Sequence, residues 1–460
     1  MNIKDDFILK DINEGYLVGG YVRDFVIAGE NGNNIFITDR DIAIKGAEEF
    51  AKRLANRLDA TFITLDYENK IYRVVLKDKE NYLDISELYG DNIEEDLLRR
   101  DFTINAIAYD LKEEKFIDMM GGIEDIKNKI LRGIKEENFI DDPLRILRAF
   151  RFMATIGFGV NAELDNMLIK HKSLLHLPAK ERIHDEIMKL FGGKYTSETL
   201  LKMLDMGILE LIFPCVNDIK KIPSNTHHHL DLIHHVIETV RQIEIMYENS
   251  EGEAKEHLGK VDFGGYPRIN YLKLAGFLHD IGKPSTWTIE ESGRHRFIGH
   301  DLEGSKMVKP LLKELKFSNK QIEYISELIR NHIYPSSVIS APVVDNKIMM
   351  RYVRKMGDNV IDNIILAKAD RLSAQGEAVT KEMTDANLGG LDKLLAFYLE
   401  VKPALKPLPK LLDGKEIMDI LGIEQSPILG KIINELHEAQ ISGEVNTKEQ
   451  AVIFVKNFSK

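Results

Sequence analysis

From Gly15 to about Asp118, apolar residues come in short runs broken by turns, and YLVGG, FITDRDIAI, ATFITL, YRVVL and YLDISEL read as strands. Between them VRDFVIAG and GAEEFAKRLANRLD space apolar residues three and four apart, as helices with one buried face do. This alternation predicts a small head of sheet and helices. After IDMMGG the texture changes: LRILRAFRF and ERIHDEIMKLF keep the helical spacing, and the remainder is predicted to be mainly helical. Proline and polar breaks fall at 213–225, 247–267 and 401–410. The first and third are expected to be domain edges, the second a loop inside a domain. The expected segments are therefore 1–135, 136–215, 216–400 and 401–460, an α+β chain.

Composition narrows the function classes. With 460 residues, 44% hydrophobic and 30% charged, the chain has the profile of an ordinary globular protein. A net charge of -12 argues against broad attraction to nucleic acid, so such a partner must be held by a local basic face. The one cysteine, Cys215, forms no internal disulfide and reads as a small buried hydrophobe. The start MNIKDDFILKD lacks the apolar core of a signal peptide, and no run approaches membrane-spanning length. A cytoplasmic protein without a membrane partner is expected.

Candidate chemistry begins with VGGYVRD, where Gly19 and Gly20 end a strand and a helix follows. Such a turn offers bare backbone N–H groups and a helix N-terminus to a phosphate, although paired glycines before helices are common. In TDRDIAI, Asp39 and Asp41 are two apart on a strand and so share a face. Like charges that close repel unless a cation lies between them, and an oxygen-only pair suits Mg²⁺. Asp84, in YLDIS, is a candidate third carboxylate.

The succession VGG-x-VRD, D-x-D, RRDFTINA (99–106) and DMMGGIEDI (118–126) resembles the class II tRNA nucleotidyltransferase and bacterial poly(A) polymerase family. The resemblance implies a polymerase-beta-like nucleotidyltransferase head, a mixed sheet with helices, followed by an all-α neck, a body and a tail. It implies that Asp39 and Asp41 hold the catalytic Mg²⁺ ions, and that Gly19, Gly20 and Arg23 engage the triphosphate. Arg100 and Asp101 would lie near the ribose and phosphates, with Asp101 accepting a hydrogen bond from a ribose hydroxyl. Asn105 would help hold metal and phosphates. The spacer GENGNNIFIT is longer than the family's usual connection and is expected to be a surface loop.

In NFIDDPLRILRAFRF, Asp142 is expected to cap a helix beginning at Pro143, with Leu144, Leu147 and Phe150 as its core stripe. Arg145 lies near the same end. An aspartate acceptor beside an arginine donor complements the amino group and ring nitrogen of cytosine and adenine, and guanine and uracil present the reverse. In the resembling family an E-D-x-x-R motif has that role, and Asp141 stands here for the glutamate. Arg148 and Arg151 continue the basic character toward phosphates. Arg182 and Glu186, in ERIHDEIMKLF, are expected to brace the neck.

Farther on, His235, the adjacent His279 and Asp280 of FLHDIGK, and Asp370 follow the H…HD…D order of the HD phosphohydrolase superfamily, which this segment resembles. The resemblance implies a divalent metal of unspecified identity. His300 and His332 fall where two-metal members add histidines, and metal-bound water at such a pair attacks phosphate esters. His227, His228, His229 and His234 compete with His235 for the first ligand position. Residues 411–451 resemble the carboxyl-terminal tail of bacterial CCA-adding enzymes, which would reach the tRNA elbow.

The expected activity is therefore template-independent addition of C and/or A, from CTP and ATP, to the 3′ end of tRNA with release of pyrophosphate. Asp41 is the natural candidate to help activate the attacking hydroxyl. Alternatives are a poly(A) polymerase acting on RNA ends generally, an HD phosphohydrolase of signalling nucleotides, and a noncatalytic RNA-binding regulator. The segment DISELYGDNIEEDLL is shorter than the flexible loop of many full CCA-adding relatives, a feature of enzymes adding only the two cytidines. CCA, CC-only and A-only addition all remain open.

Overall fold

A computed structural model describes residues 3–31, 39–226, 228–405 and 408–458. Most of the spacer expected as a surface loop, residues 32–38, lies outside these, as does His227. The chain divides into two compact units, Met1–Pro214 and Cys215–Lys460.

The first unit is built on a mixed sheet of seven strands: β1 Tyr16–Val18, β2 Asp39–Ile44, β3 Thr61–Asp66, β4 Ile71–Val75, β5 Tyr82–Glu87, β6 Ala108–Asp110 and β7 Lys115–Ile117, in the order β3-β4-β5-β2-β1-β6-β7. Only the β2–β5 pair in it is parallel, with Asp41 opposite Asp84. Helices α1 (Gly20–Asn31) and α2 (Ala47–Arg57) join the early strands, and α3 is Ile93–Leu98. The alternation of β2 sends Ile42 into the core, while Arg40 is buried and tied to Asp6 at 2.8 Å.

The two motifs RRDFTINA and DMMGGIEDI meet in space. Helix α4, Gly122–Lys127, packs on the 3-10 turn Thr103–Asn105, and Asp118 accepts from the Gly122 and Ile123 amides at 2.7 and 2.9 Å. That carboxylate satisfies two of the orphan N–H groups at the helix start. A Cβ on Gly122 would lie 2.2 Å from the Thr103 carbonyl oxygen, so only glycine allows the approach.

The neck is expected over 136–215, and its residues up to Pro214 belong with the head to this unit. Helices α5 (Glu137–Asp141), α6 (Leu144–Ile156), α7 (Ala162–His171) and α8 (Lys180–Phe191) follow, and α6 packs on α8. Helix α6 starts one residue later than the sequence suggests: Pro143 is its N-cap, and Asp142 takes only a 3.3 Å bond from the Leu144 amide. The expected stripe Leu144, Leu147 and Phe150 is buried.

The second unit is helical apart from one short β-hairpin in its described residues. Its centre is the helix Arg268–Leu278, buried along its whole length and packed on Leu232–Glu248, Asn319–Asn331 and Val360–Ser373. The stretch 247–267, expected as a loop, contains the helix Gly252–Gly259. Its His257 is 2.7 Å from the buried Asp362, which also pairs with Arg268 at 2.9 Å and accepts from the Tyr324 hydroxyl at 2.6 Å. A buried carboxylate demands such partners, and that demand organises the stretch. The final helices, Gly414–Leu421, Pro427–Ser442 and Lys448–Phe458, share a core around Ile417, Ile432 and Val455. Among the described residues no helix is long and apolar enough to cross a membrane.

Gly122→Ala is expected to destabilise the first unit by about 2–3 kcal/mol, because the new methyl meets backbone rather than a movable side chain. Thermal melting followed by circular dichroism measures this, and an unchanged midpoint would show that α4 can retreat from Thr103.

Candidate functional site

The first unit contains a polar cleft of about 450 Å³. Of the head and neck residues singled out from the sequence for metal, phosphate or base contacts, all but Asp84 and Asp141 line it, from Gly19 on the β1–α1 turn to Arg151 on α6. Phe152 and Arg182 line it too, and neither was expected there.

On the acidic wall, β2 presents Asp39 and Asp41 on one face, and Asp84 stands across the strand pair from Asp41. Oxygens of the three carboxylates lie within 4.8 Å of one another. Burial first, then the charges of Asp39 and Asp84, push the Asp41 carboxyl up to about 7, although Arg100 and Arg73 oppose the shift. Such an oxygen cluster fits a divalent cation, which would relieve the repulsion. Asp84 differs from its neighbours because Arg73 donates to both of its oxygens, at 2.7 Å each.

Gly19 is needed where the turn meets the acids. It sits at φ 73°, and a Cβ there would come within 3.1 Å of Asp41 Oδ2. The first turn of α1 carries Arg23, which bonds Asp24 at 2.7 Å and the Asn105 side-chain oxygen at 2.8 Å, and lies over the Phe152 ring.

The basic wall comes from Arg100, Arg145, Arg148, Arg151 and Arg182, most of them held by acids. Asp96 grips Arg100 at 2.9 Å, and Glu186 lies 3.1 Å from Arg151 and 3.8 Å from Arg148. Asp101 is buried, and its lone pairs are committed: one oxygen accepts from the Phe102 amide and Asn105 at 2.8 Å, the other from Arg148 at 2.7 Å. Burial opposes its ionisation, but Arg148 prevails and keeps the carboxyl below its ordinary value. A ribose hydroxyl would therefore have to displace one of these donors. Asn105 likewise spends its amide on Asp101 and Arg23, so it lines the cleft with its side-chain oxygen and amide group already engaged.

At the far end, Arg182 bonds Asp142 at 2.9 Å, leaving lone pairs on that carboxylate open to the cleft. Arg145 stands beside it with a buried Nη1 that has no hydrogen-bond partner. An oriented acceptor and an unspent donor are thus adjacent. Asp141 is exposed at the end of α5.

The second unit gathers all six of its candidate residues. Asp280 lies between two sets. Its Oδ2 is 3.4 Å from His235 Nε2 and 3.2 Å from His279 Nε2, with Asp370 Oδ1 3.2 Å from His235. Its Oδ1 is 3.3 Å from His300 Nε2 and 3.8 Å from His332 Nε2. His279, His300 and His332 each place Nδ1 2.7–2.8 Å from a backbone carbonyl, which only accepts, so Nδ1 carries the proton and Nε2 faces the centre. Nε2 of His235 and of His279 and Oδ1 of Asp280 have no hydrogen-bond partner, the mark of a site built for a cation. The mixed nitrogen and oxygen donors suit a transition metal.

His234 is exposed and bonds Asp231 at 2.6 Å, so the histidine facing the centre is His235. His229 accepts from the Gln375 amide at 3.3 Å. Two neighbours were missed. Lys283 reaches Asp280 at 2.5 Å, three residues on in the same turn, and the His228 ring packs edge-on to His235 at 4.7 Å. Burial and then Lys283 push His228 down to about 3, keeping it neutral. Cys215, expected to be buried, is a free and half-buried cysteine, and burial raises its thiol to about 12.

Residues 15–132 match the family described as poly A polymerase head domain, 157–220 that described as probable RNA and SrmB-binding site of polymerase A, and 232–375 that described as HD domain. The chain is 30% identical to an A-adding tRNA nucleotidyltransferase of Deinococcus radiodurans, covering 96% of this chain and 95% of that protein. It is equally, at 30%, identical to a CC-adding tRNA nucleotidyltransferase of Thermus thermophilus, over 98% and 95% of the two chains. Its fold is similar to that of a Bacillus stearothermophilus CCA-adding enzyme solved with CTP, at TM-score 0.57 and 20% identity over 100% of this chain and 98% of that one. A Thermotoga maritima CCA-adding enzyme solved with tRNA gives TM-score 0.55 at 21% identity, over 97% and 91%.

The raised carboxyl of Asp41 gives a signed expectation for the metal-free chain. Between the ordinary value of 3.8 and about 7 the folded state holds a proton that the unfolded state has lost, so this group's contribution to stability falls as pH rises through that window. Asp41→Asn is therefore expected to stabilise the protein at pH 8 in chelator, by on the order of 3 kcal/mol, and to make no difference at pH 4. Paired melts at the two pH values measure it.

Proposed function

Because the chain belongs to the class II tRNA nucleotidyltransferase and bacterial poly(A) polymerase family, we propose that it adds C and/or A to the 3′ end of tRNA, from CTP and ATP, releasing pyrophosphate. The observation carrying this reading is one cleft that joins a carboxylate pair, an arginine wall and an unspent Arg145 donor beside an oriented Asp142 acceptor.

The Gly19–Gly20 turn and the start of α1 receive the phosphates through backbone N–H groups, with Arg23 beside them. Asp39 and Asp41 would hold Mg²⁺, which would supply charge neutralisation for the reacting phosphate. Asp142 accepts from the exocyclic amino group of the incoming base while Arg145 donates to its ring nitrogen, which admits C and A and rejects G and U. Arg182 and the Leu144 amide fix the acceptor. Asp101, with its oxygens spent, serves by holding Arg148, and Glu186 serves Arg151 in the same way.

A second reading concerns the histidine–aspartate centre, favoured by its unpartnered ligand atoms. His235, His279, Asp280 and Asp370 would hold one divalent ion, and Asp280, His300 and His332 a second, supplying activated water for phosphoester hydrolysis.

Purified chain, given tRNA lacking its 3′ end with each nucleotide alone and in pairs, is expected to add three residues or fewer. A long A tail would favour the polymerase alternative. In the same assay Asp41→Ala is expected to abolish incorporation and keep tRNA binding; an active variant refutes the assigned role. Arg145→Ala is expected to lower the preference for CTP and ATP over UTP and GTP in kcat/KM by roughly 10–100-fold. Retained selectivity would remove the base-reading assignment.

A further inference from the structure

The three-carboxylate cluster has an asymmetry that its sequence spacing hides. Asp39 and Asp41 have no basic residue in the fork geometry that meets Asp84, where Arg73 Nε and Nη2 each donate to a different oxygen at 2.7 Å. Arg73 is the register partner of Asp84 on β4, and Asp84 is the register partner of Asp41 on β5. Cation, carboxylate and carboxylate thus form one row across three adjacent strands. The guanidinium carbon lies over the Tyr82 ring, 4.0 Å from its centroid, and the pair is mostly shielded, at 31% and 16% side-chain exposure. A fork–fork bond of this kind fixes the carboxylate in plane and takes up its most basic directions.

We propose that Arg73 is a positioning residue that withdraws Asp84 from metal binding, so that Asp39 and Asp41 alone carry the free negative charge of the cluster. This rests on the reading of those two aspartates as the metal-holding pair. Arg73 thereby sets both the charge and the geometry of the site: with the third acid neutralised, the ion is bound through β2, on the side facing the glycine turn and the cleft. Without Arg73, Asp84 becomes a competing ligand on the opposite side and adds a unit of negative charge.

The test is Mn²⁺ binding by the full-length protein, followed by isothermal calorimetry. The contribution of the head is isolated by subtracting the isotherm of an Asp39→Asn/Asp41→Asn chain. If that double variant binds Mn²⁺ like wild type, the parent reading itself fails. If it loses a site, Arg73→Gln is expected to bind at that site roughly tenfold more tightly, the size of one partly shielded unit charge. Arg73→Lys, which keeps the charge, is expected to stay near wild type. Arg73→Gln/Asp84→Asn, which removes both partners and restores the net charge, is expected to return to the wild-type affinity. Unchanged or weaker binding by Arg73→Gln overturns the proposal. So does a Gln/Asn double variant that weakens as strongly as Asp39→Asn alone, because Asp84 would then be a direct ligand. A purely structural role for Arg73 would lower the melting temperature and leave the head-site affinity in place.

Discussion

Repulsion among Asp39, Asp41 and Asp84 is the constraint around which the head is arranged. Adjacent strands bring these acids within a few ångströms in a half-buried place, where burial and the charges of Asp39 and Asp84 raise the cost of ionising Asp41. The surroundings are a set of answers to that repulsion: Arg73 takes one carboxylate, Arg100 approaches another, and Gly19 leaves space where any side chain would press on Asp41.

The same logic of compensated charge recurs away from the acids. Asp96, Asp101 and Glu186 are all buried, and each spends its charge on an arginine of the cleft wall. Removing any one would leave a guanidinium free to turn or a carboxylate stranded, at a cost well above that of a surface pair. Arg145 differs: its buried Nη1 has no hydrogen-bond partner, and no acid pairs with it among the described residues, whereas Arg100, Arg148, Arg151 and Arg182 each have one. In the second unit His279, His300 and His332 show the complementary arrangement, their outer nitrogens fixed by carbonyls and their inner ones turned toward Asp280.

Much of this was legible in the chain. Period-two and period-three-four patterning placed the strands and helices of the head, and i,i+2 spacing put Asp39 and Asp41 on one face. The motif order, through family resemblance, supplied nearly all of the cleft. What stayed hidden depended on pairings between distant positions. Arg73 meets Asp84 only once the β4–β5 register is set, and Arg182 meets Asp142 across forty residues. The saturation of Asp101 was invisible because it follows from Arg148 arriving from another element. The helix Gly252–Gly259 was masked by its polar composition, since its stability comes from His257 docking on a buried aspartate rather than from an apolar stripe. His228 and Lys283 sat inside quoted motifs, yet nothing in their spacing separated a neighbour of the centre from a bystander.

The strand order has a kinetic meaning. β2 lies inside the sheet, bonded to β1 on one side and β5 on the other, whereas β3 and β7 form the margins. Local fluctuations begin at margins, so β3 and β7 can open and close while the backbone amides beside Asp41 stay protected from solvent exchange. The strand bearing the acids should therefore be among the last parts of the sheet to open as the unit unfolds, and the chemistry is carried on a segment whose integrity fails only when the fold itself does.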